Sequence, residues 1–541
     1  MKKIKLLLLL LLPFLMYGQI KTKGYEVSTS SPYEVVDAGS KYYFSSGEEV
    51  FMVKIQSKAI IIQKYDVLGK KLKSKKELPP LEKNQILESI SEINNRYYLF
   101  YSYWDKPNET EQLFYKEINF KNNTFGKPVN VVNVKGKITG SWANLSSSAA
   151  SMFGFGWNFG VVDKFSFSES FDESKFVIQY RKKPEARNDK ISYDEIGMLV
   201  FTPEMEKVWA GEFKMPYTEA QMNNIDYDVD SKGNAYILTE VYDSDVPKKY
   251  IKDEKNYHLE ILKIKNSEVQ KIKIEEEKYH ISSIWMVEGA DNNMYLTGYY
   301  NEEKGVYTNV DGVFLMKLGE DGAVKTSTHH KIPLEVINQY KSSRAQNKNA
   351  KKDEKGNLDF ENLVFREILL QEDGSVVLIG EQYYVRTYTD SKGNTRYVYY
   401  YEDILVTKLD ADGELVWMKK LAKRQKGGAG RGQMGYEYIH HNGGDYFFFV
   451  DNDKNIALGI DEVPATHMDG LGGILTAYRI DNENGDVTKS SVVDFKLAPV
   501  KGNKPMPIYQ FTTNRIIETN LGMIFEVYKK GKEDVMIHVE F

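Results

Sequence analysis

The chain has 541 residues, of which 41% are hydrophobic and 28% charged, which excludes wholesale disorder and leaves apolar surface for more than one core. The formal net charge is -5, from 72 Lys and Arg against 77 Asp and Glu, so the basic footprint of a nucleic-acid binder is missing and no nucleic-acid partner is expected. The 38 Tyr and 26 Phe favour strands over helices, and the absence of cysteine excludes disulfides and cysteine-linked lipid anchors.

Residues 1–18 read as a secretory signal. Lys2, Lys3 and Lys5 precede the apolar run Leu6–Met16, which Pro13 interrupts. Tyr17-Gly18-Gln19 supplies a small residue for a cut after Gly18. The run is shorter than the ~18–20 residues that a membrane span requires. A soluble mature chain, periplasmic or extracellular and not a lipoprotein, is expected, with no membrane span after signal removal.

The mature chain opens with a strand-like run, Ile20–Ser28, and then repeats a unit of alternating strands and Asx- or Gly-containing turns. Copies span Tyr33–Glu77, Ile90–Val134, Phe165–Met215, Ile225–Ile274 and Ile281–Ile332. The cleanest is Phe360–Leu421, with strands at Val364–Leu370, Ser375–Glu381, Asp403–Leu409 and Glu414–Leu421. Met434–Phe495 is the seventh, and Ile508–Phe541 is an eighth that stops one strand short. Four antiparallel strands per unit make a propeller blade, so the expected fold is an all-β propeller in a single domain, 19–541. Eight blades are expected, seven being the near alternative. The missing strand of the last blade and the extra strand at the N-terminus fit together, so the N-terminal strand is expected to close the ring and remove its open edges. Insertions are expected near 136–160 (Gly-, Ser- and aromatic-rich, with Phe153–Trp157 as a plug), near 340–358 (a mobile exposed loop) and at the hairpin arm 383–401.

The run Thr407-Lys408-Leu409-Asp410-Ala411-Asp412-Gly413-Glu414-Leu415-Val416-Trp417 resembles the outer hairpin of bacterial β-propeller repeats of the quinoprotein-like and related secreted type. The resemblance implies a turn made by the Gly and a Trp that covers the neighbouring blade. Lys207-Val208-Trp209 keeps the Trp without the Gly, and Gly322 and Gly485 keep the turn without the Trp. Quinone-cofactor binding does not carry over, since its motifs do not recur and vicinal cysteines are absent. The chain also resembles uncharacterised exported propellers of outer-membrane bacteria, which brings no activity with it.

Asp451, Asp453, Asn455 and Glu462 stand at alternating and closing positions of a calcium loop, where oxygen ligands converge on a hard cation. Position six is Ile456, not Gly, and strand-like sequence flanks the loop, so an Asx turn is the competing reading and Ca2+ the only cofactor considered. Gly430, Gly432 and Gly435 match GxGxxG, but the strand-like Tyr436–His441 follows where a dinucleotide site needs a helix. The adjacent pairs His329-His330 and His440-His441 point to opposite faces of a strand and suit no single metal. No GxSxG occurs.

The arm is the most distinctive stretch. Tyr384, Arg386, Tyr388, Arg396 and Tyr397 flank the turn Asp390–Asn394, and Arg431 lies in the nearby basic, Gly-rich loop. Tyr and Arg give large contact area and directed hydrogen bonds at low entropy cost, so these six are the expected contacts to an envelope protein or glycan. The competing reading is an arm whose tyrosines only support each other across the hairpin. Two other functions stay open: an envelope enzyme acting on a glycan in the central channel, and a structural envelope component.

Overall fold

The computed structural model describes residues 20–22, 24–139, 164–184, 186–252, 254–276, 278–303, 309–428, 433–460, 462–470, 472–496, 508, 511–529 and 531–541. The signal segment, the plug Phe153–Trp157 and Arg431 lie outside the described residues.

Among the described residues, eight sheets of four to six strands follow one another along the chain, each built on four antiparallel strands, and a two-stranded ribbon, Tyr250–Ile251 with Glu254–Lys255, stands apart. Blade 1 runs Ser40–Leu78, blade 2 Gln85–Lys135 and blade 3 Ile138–Thr218. Blade 4 is Met222–Ile274, blade 5 His280–Lys331, blade 6 Leu363–Leu421 and blade 7 Glu437–Asp494. Blade 8 takes three strands from Ile516–Glu540, and its fourth is the N-terminal strand Tyr25–Thr29, which pairs with the last strand from Glu26 opposite Glu540 to Thr29 opposite Ile537. The protein is thus a β-propeller whose N-terminal strand completes the last blade, as the two unmatched strands of the sequence require.

Alternation makes each blade two-sided and apolar on both faces. In Glu49–Ile55 and Ile60–Asp66 nearly every side chain is buried, whereas the fourth strand, Lys71–Leu78, carries four lysines and faces water. One apolar cluster joins each blade to the next. Phe51, Val53 and Ile62 meet Leu99 and Phe120 between blades 1 and 2, and Val50, Met52 and Tyr65 meet Ile524 and Met536 between blades 1 and 8. Each such side chain contributes about 1.5–3 kcal/mol by leaving water. Trp417 of blade 6 packs with Phe447, Phe449 and Ile480 of blade 7 and donates its indole N–H to the Asn482 carbonyl at 3.2 Å, the covering role that the resemblance implies. Gly413 turns with φ +84° and presents its carbonyl to Thr328 and His330 of blade 5, each at 2.7 Å.

First strands touch one another between blades 3 and 4, 4 and 5, and 8 and 1, so they line the axis. The loops between second and third strands and the blade-to-blade connections therefore share the face where the first strands begin, and the tight hairpin turns take the other face. Among the described residues, the arm 383–401 and the segment 334–358 lie on the first of these faces, at blades 5 to 7. There the expected mobile loop at 340–358 is largely a helix, Ser343–Asp353, preceded by a short helix, Leu334–Asn338. The stretch Ser343–Asp353 lacks Gly, Pro and β-branched residues, and Ser342 caps it by accepting from the Ala345 N–H, so a polar sequence that reads as loop is also a competent helix. Val336 and Ile337 anchor the pair in the blade 5–6 core, and the Lys420 ammonium donates to the Ile337 carbonyl at 2.9 Å.

Candidate functional site

The arm is a continuous extension of blade 6. Its second strand runs Val376–Thr389 and its third Thr395–Leu409, paired throughout except at a register shift between Glu381 and Tyr383. Two short strands extend the sheet sideways. Gln425–Gly427 pairs antiparallel with Tyr399–Tyr401, and His467–Met468 of blade 7 pairs parallel with Gln425–Lys426. The outcome is a small four-stranded platform that bridges blades 6 and 7.

Register assigns its two faces, because residues directly opposite one another project to the same side. One row is Tyr383, Tyr401, Gln425 and His467; the next is Tyr384, Tyr400, Lys426 and Met468. The first row faces inward: Gln425 and His467 are buried, and the Tyr383 and Tyr401 rings meet edge-on at 4.9 Å. Beneath it the Glu381 carboxylate holds Arg366 and, at 2.5 Å, Lys423, both buried. Burial pushes the Lys423 ammonium down, and the Glu381 charge opposes it. Arg366 lies over the Tyr383 and Tyr401 rings at 5.3 and 5.8 Å. A bulge at Arg366 on the first strand of blade 6 aims it there, and blades 2, 4 and 5 carry a bulge at the matching place.

The second row faces outward. Tyr384 and Tyr400 stack at 4.6 Å with planes 9° apart, and Arg386 lies 5.2 and 5.3 Å from the two ring centroids. Arg396 covers the Tyr388 ring at 5.4 Å, and the Tyr388 and Tyr400 hydroxyls are 3.1 Å apart. Among the described residues, no carboxylate pairs with Arg386, Arg396 or Lys426. The Tyr388 phenol is drawn below its ordinary value by the hydrogen bond with Tyr400, with Arg386 and the Lys426 charge acting in the same direction.

Of the expected contacts, Tyr384, Arg386, Tyr388 and Arg396 come together on this outer face. Tyr397 stands opposite Thr387 on the other side, exposed at its edge. Tyr400 and Lys426 complete the face and were missed. Tyr400 is one of three consecutive tyrosines whose phase depends on the Glu381–Tyr383 shift, and Gln425–Gly427 is too short to read as a strand. Gly435 is followed by the strand Glu437–His441 and not by a helix.

The proposed calcium ligands have other partners. The Asp451 carboxylate takes the Lys489 ammonium at 2.9 Å, the Asn455 amide at 2.7 Å and the Asn452 N–H at 2.8 Å. Asn455 is tied to Ala465, Asp453 lies 3.9 Å from Lys496, and Glu462 accepts from the Gly459 N–H. Among the described residues, no three His, Asp or Glu side chains converge as a metal site. His329 is held by Glu276 and stacks on Tyr279, and His440 is held by Asp445.

The axial strands carry acids of two kinds. Glu88 accepts from the Lys164 N–H, Asp226 from Met286 and Asp228 from Glu288, each capping the open edge of the next blade's first strand. Glu367 of blade 6 and Glu437 of blade 7 make no such bond among the described residues. Burial raises them to about 7 and about 8, and the Glu367 charge adds to the rise of Glu437. Beside them the Arg366 Nε is buried without a hydrogen-bond partner among the described residues, and the Tyr436 hydroxyl sits against Glu367.

No family model matches the chain, and no curated protein matches it. Among solved structures, the β-propeller domain of the Trilobed protease from Pyrococcus furiosus is similar at 11% identity and TM-score 0.34, covering 84% of this chain and 96% of that one. The Dos1 propeller matches at 10% and 0.31, with 94% of both chains covered. A protein of unknown function from Bacteroides caccae matches at 10% and 0.26, over 70% of this chain and 94% of that one. The fold is assigned from the sheets themselves, and the site from its own residues.

Proposed function

We propose that this protein is an exported β-propeller of the bacterial cell envelope, periplasmic or extracellular, that binds an envelope protein or glycan on the outward face of the platform. One observation carries the reading: that face assembles Tyr384, Arg386, Tyr388, Arg396, Tyr400 and Lys426, and among the described residues its three cations pair with no carboxylate. The inner face of the same sheet is pinned by Glu381, Arg366 and Lys423, so the outer face is held in shape before any partner arrives. The test is capture from envelope extract by the mature chain, compared with a folded Tyr384→Ala, Arg386→Ala, Tyr388→Ala variant. A partner caught by the first and lost by the second is expected. Equal capture by both contradicts the reading.

A second reading, an envelope enzyme acting on a glycan in the channel, is favoured by Glu367 and Glu437, two axial carboxyls on adjacent blades that burial raises to about 7 and about 8. Its test is a glycan hydrolysis screen in which Glu437→Gln abolishes any turnover found. A purely structural envelope role predicts neither capture nor turnover.

A further inference from the structure

We infer that the ligand of the platform's outward face is a polyanionic glycan, a polymer of carboxylated sugars. The inference rests on the binding reading above and narrows it to one chemistry. Three features of the face select this class.

The first is positive charge in a fixed pattern: among the described residues Arg386, Arg396 and Lys426 pair with no carboxylate, the nearby Glu402 being held by Tyr384 and Arg424 instead. Arg386 and Arg396 stand on neighbouring strands one two-residue step apart along the arm, about 7 Å. Lys426 stands two strands across from Tyr384, opposite Tyr400. A ligand with a charge on each repeat meets several of these cations at once, and a single anion does not.

The second is how the guanidinium groups are held. Each lies over tyrosine rings, Arg386 over Tyr384 and Tyr400 and Arg396 over Tyr388. A guanidinium held over a ring keeps in-plane N–H groups for an incoming oxyanion, those of Arg386 being shared with the Tyr388 hydroxyl.

The third is that recognition groups occupy the face of the sheet and not its edge. An acidic peptide recognised by strand addition is read along a sheet edge, through backbone bonds. Here the exposed groups are ring faces, phenol hydroxyls and guanidinium edges side by side. Those suit a ligand presenting apolar sugar faces, hydroxyls and carboxylates together.

The test uses the full mature chain on three matrices: immobilised polygalacturonate, neutral dextran and polyglutamate. Retention on polygalacturonate is expected, falling as NaCl is raised from low to about 0.5 M as screening weakens the charges. An Arg386→Gln, Arg396→Gln, Lys426→Gln variant is expected to lose at least tenfold in affinity with an unchanged melting temperature, since all three side chains are at the surface. Equal retention on dextran, or retention on polygalacturonate that the triple variant leaves intact, overturns the inference. Retention on polyglutamate alone makes the ligand an acidic protein and overturns the glycan assignment while the platform reading stands. Capture of an envelope partner through Tyr384 and Arg386, with no retention on any of the three matrices, does the same. If no partner is captured and nothing is retained, both fail.

Discussion

The meeting of blades 8 and 1 and the outward face of the platform are built from the same residue types and end in opposite states. Between the blades, Tyr33 and Tyr43 each donate to the Glu526 carboxylate at 2.8 Å, Lys54 at 2.5 Å and Lys41 at 3.1 Å. Burial alone would raise Glu526, but Lys54 and Lys41 overcome it and hold the carboxyl down at about 2. On the platform, tyrosines and cations again crowd together, but among the described residues Arg386, Arg396 and Lys426 pair with no carboxylate, and Glu402 nearby is taken by the Tyr384 hydroxyl at 3.2 Å and by Arg424 at 3.9 Å. A cluster of Tyr with Lys or Arg is therefore a piece of scaffold where it encloses its own carboxylate, and a candidate site where it does not.

The contrast is sharpest under substitution. Glu526→Gln leaves the buried Lys54 only the more distant Asp534, 3.9 Å away, and is expected to cost about 3–5 kcal/mol in urea unfolding, while the protein that stays folded captures its partner normally. Glu381→Gln, beneath the platform, leaves Arg366 and Lys423 without their anion. It is expected to lower stability on the same scale and also to weaken capture, because it releases the sheet that carries the outer face. If Glu381→Gln leaves capture intact, the inner row does not position the outer one.

The region of blades 8 and 1 also sets an acid limit. His538, buried against the Tyr65 hydroxyl at 2.6 Å, is pushed down to about 3 by burial and then by the Lys70 charge. It stays neutral in the folded state and gains a proton when unfolded below its ordinary 6.5. Its contribution is complete above pH 6.5 and is lost as pH falls from there towards about 3, with a slope of up to about 1.4 kcal/mol per pH unit. His538→Gln is expected to flatten that part of the stability profile, and an unchanged profile contradicts the assignment. The smallest effect is expected at Tyr397, which projects to the other side of the arm: Tyr397→Ser leaves both melting temperature and capture unchanged.

How far the sequence goes depends on the range of the interaction that decides each feature. Turn residues such as Asp410 to Gly413, and alternation within each strand, act over a few residues, and the eight units and the unmatched strands at the two ends follow from them. The helix at Ser343–Asp353 was hidden because a polar, charged stretch suits both a loop and an exposed helix, and Val336 and Ile337, which anchor its neighbour, lie outside it. Four of the six expected contacts share one face because hairpin alternation around Asp390–Asn394 sets their phase. That the loop holding Lys426 is basic is legible, but its place beside Tyr400 is not, since it depends on pairing across a loop. Glu367 and Glu437 were equally hidden: they are ordinary acids in sequence, and only the meeting of two axial strands separates them from Asp226 and Asp228, which cap backbone amides.

The most direct measurement is hydrogen–deuterium exchange of the mature chain with and without the bound envelope partner. Protection concentrated at Tyr384–Tyr400 and Gln425–Gly427 is the predicted result. Unchanged exchange there, with protection at the axial strands around Glu367 and Glu437 instead, would place the function in the channel and contradict the platform as the binding site.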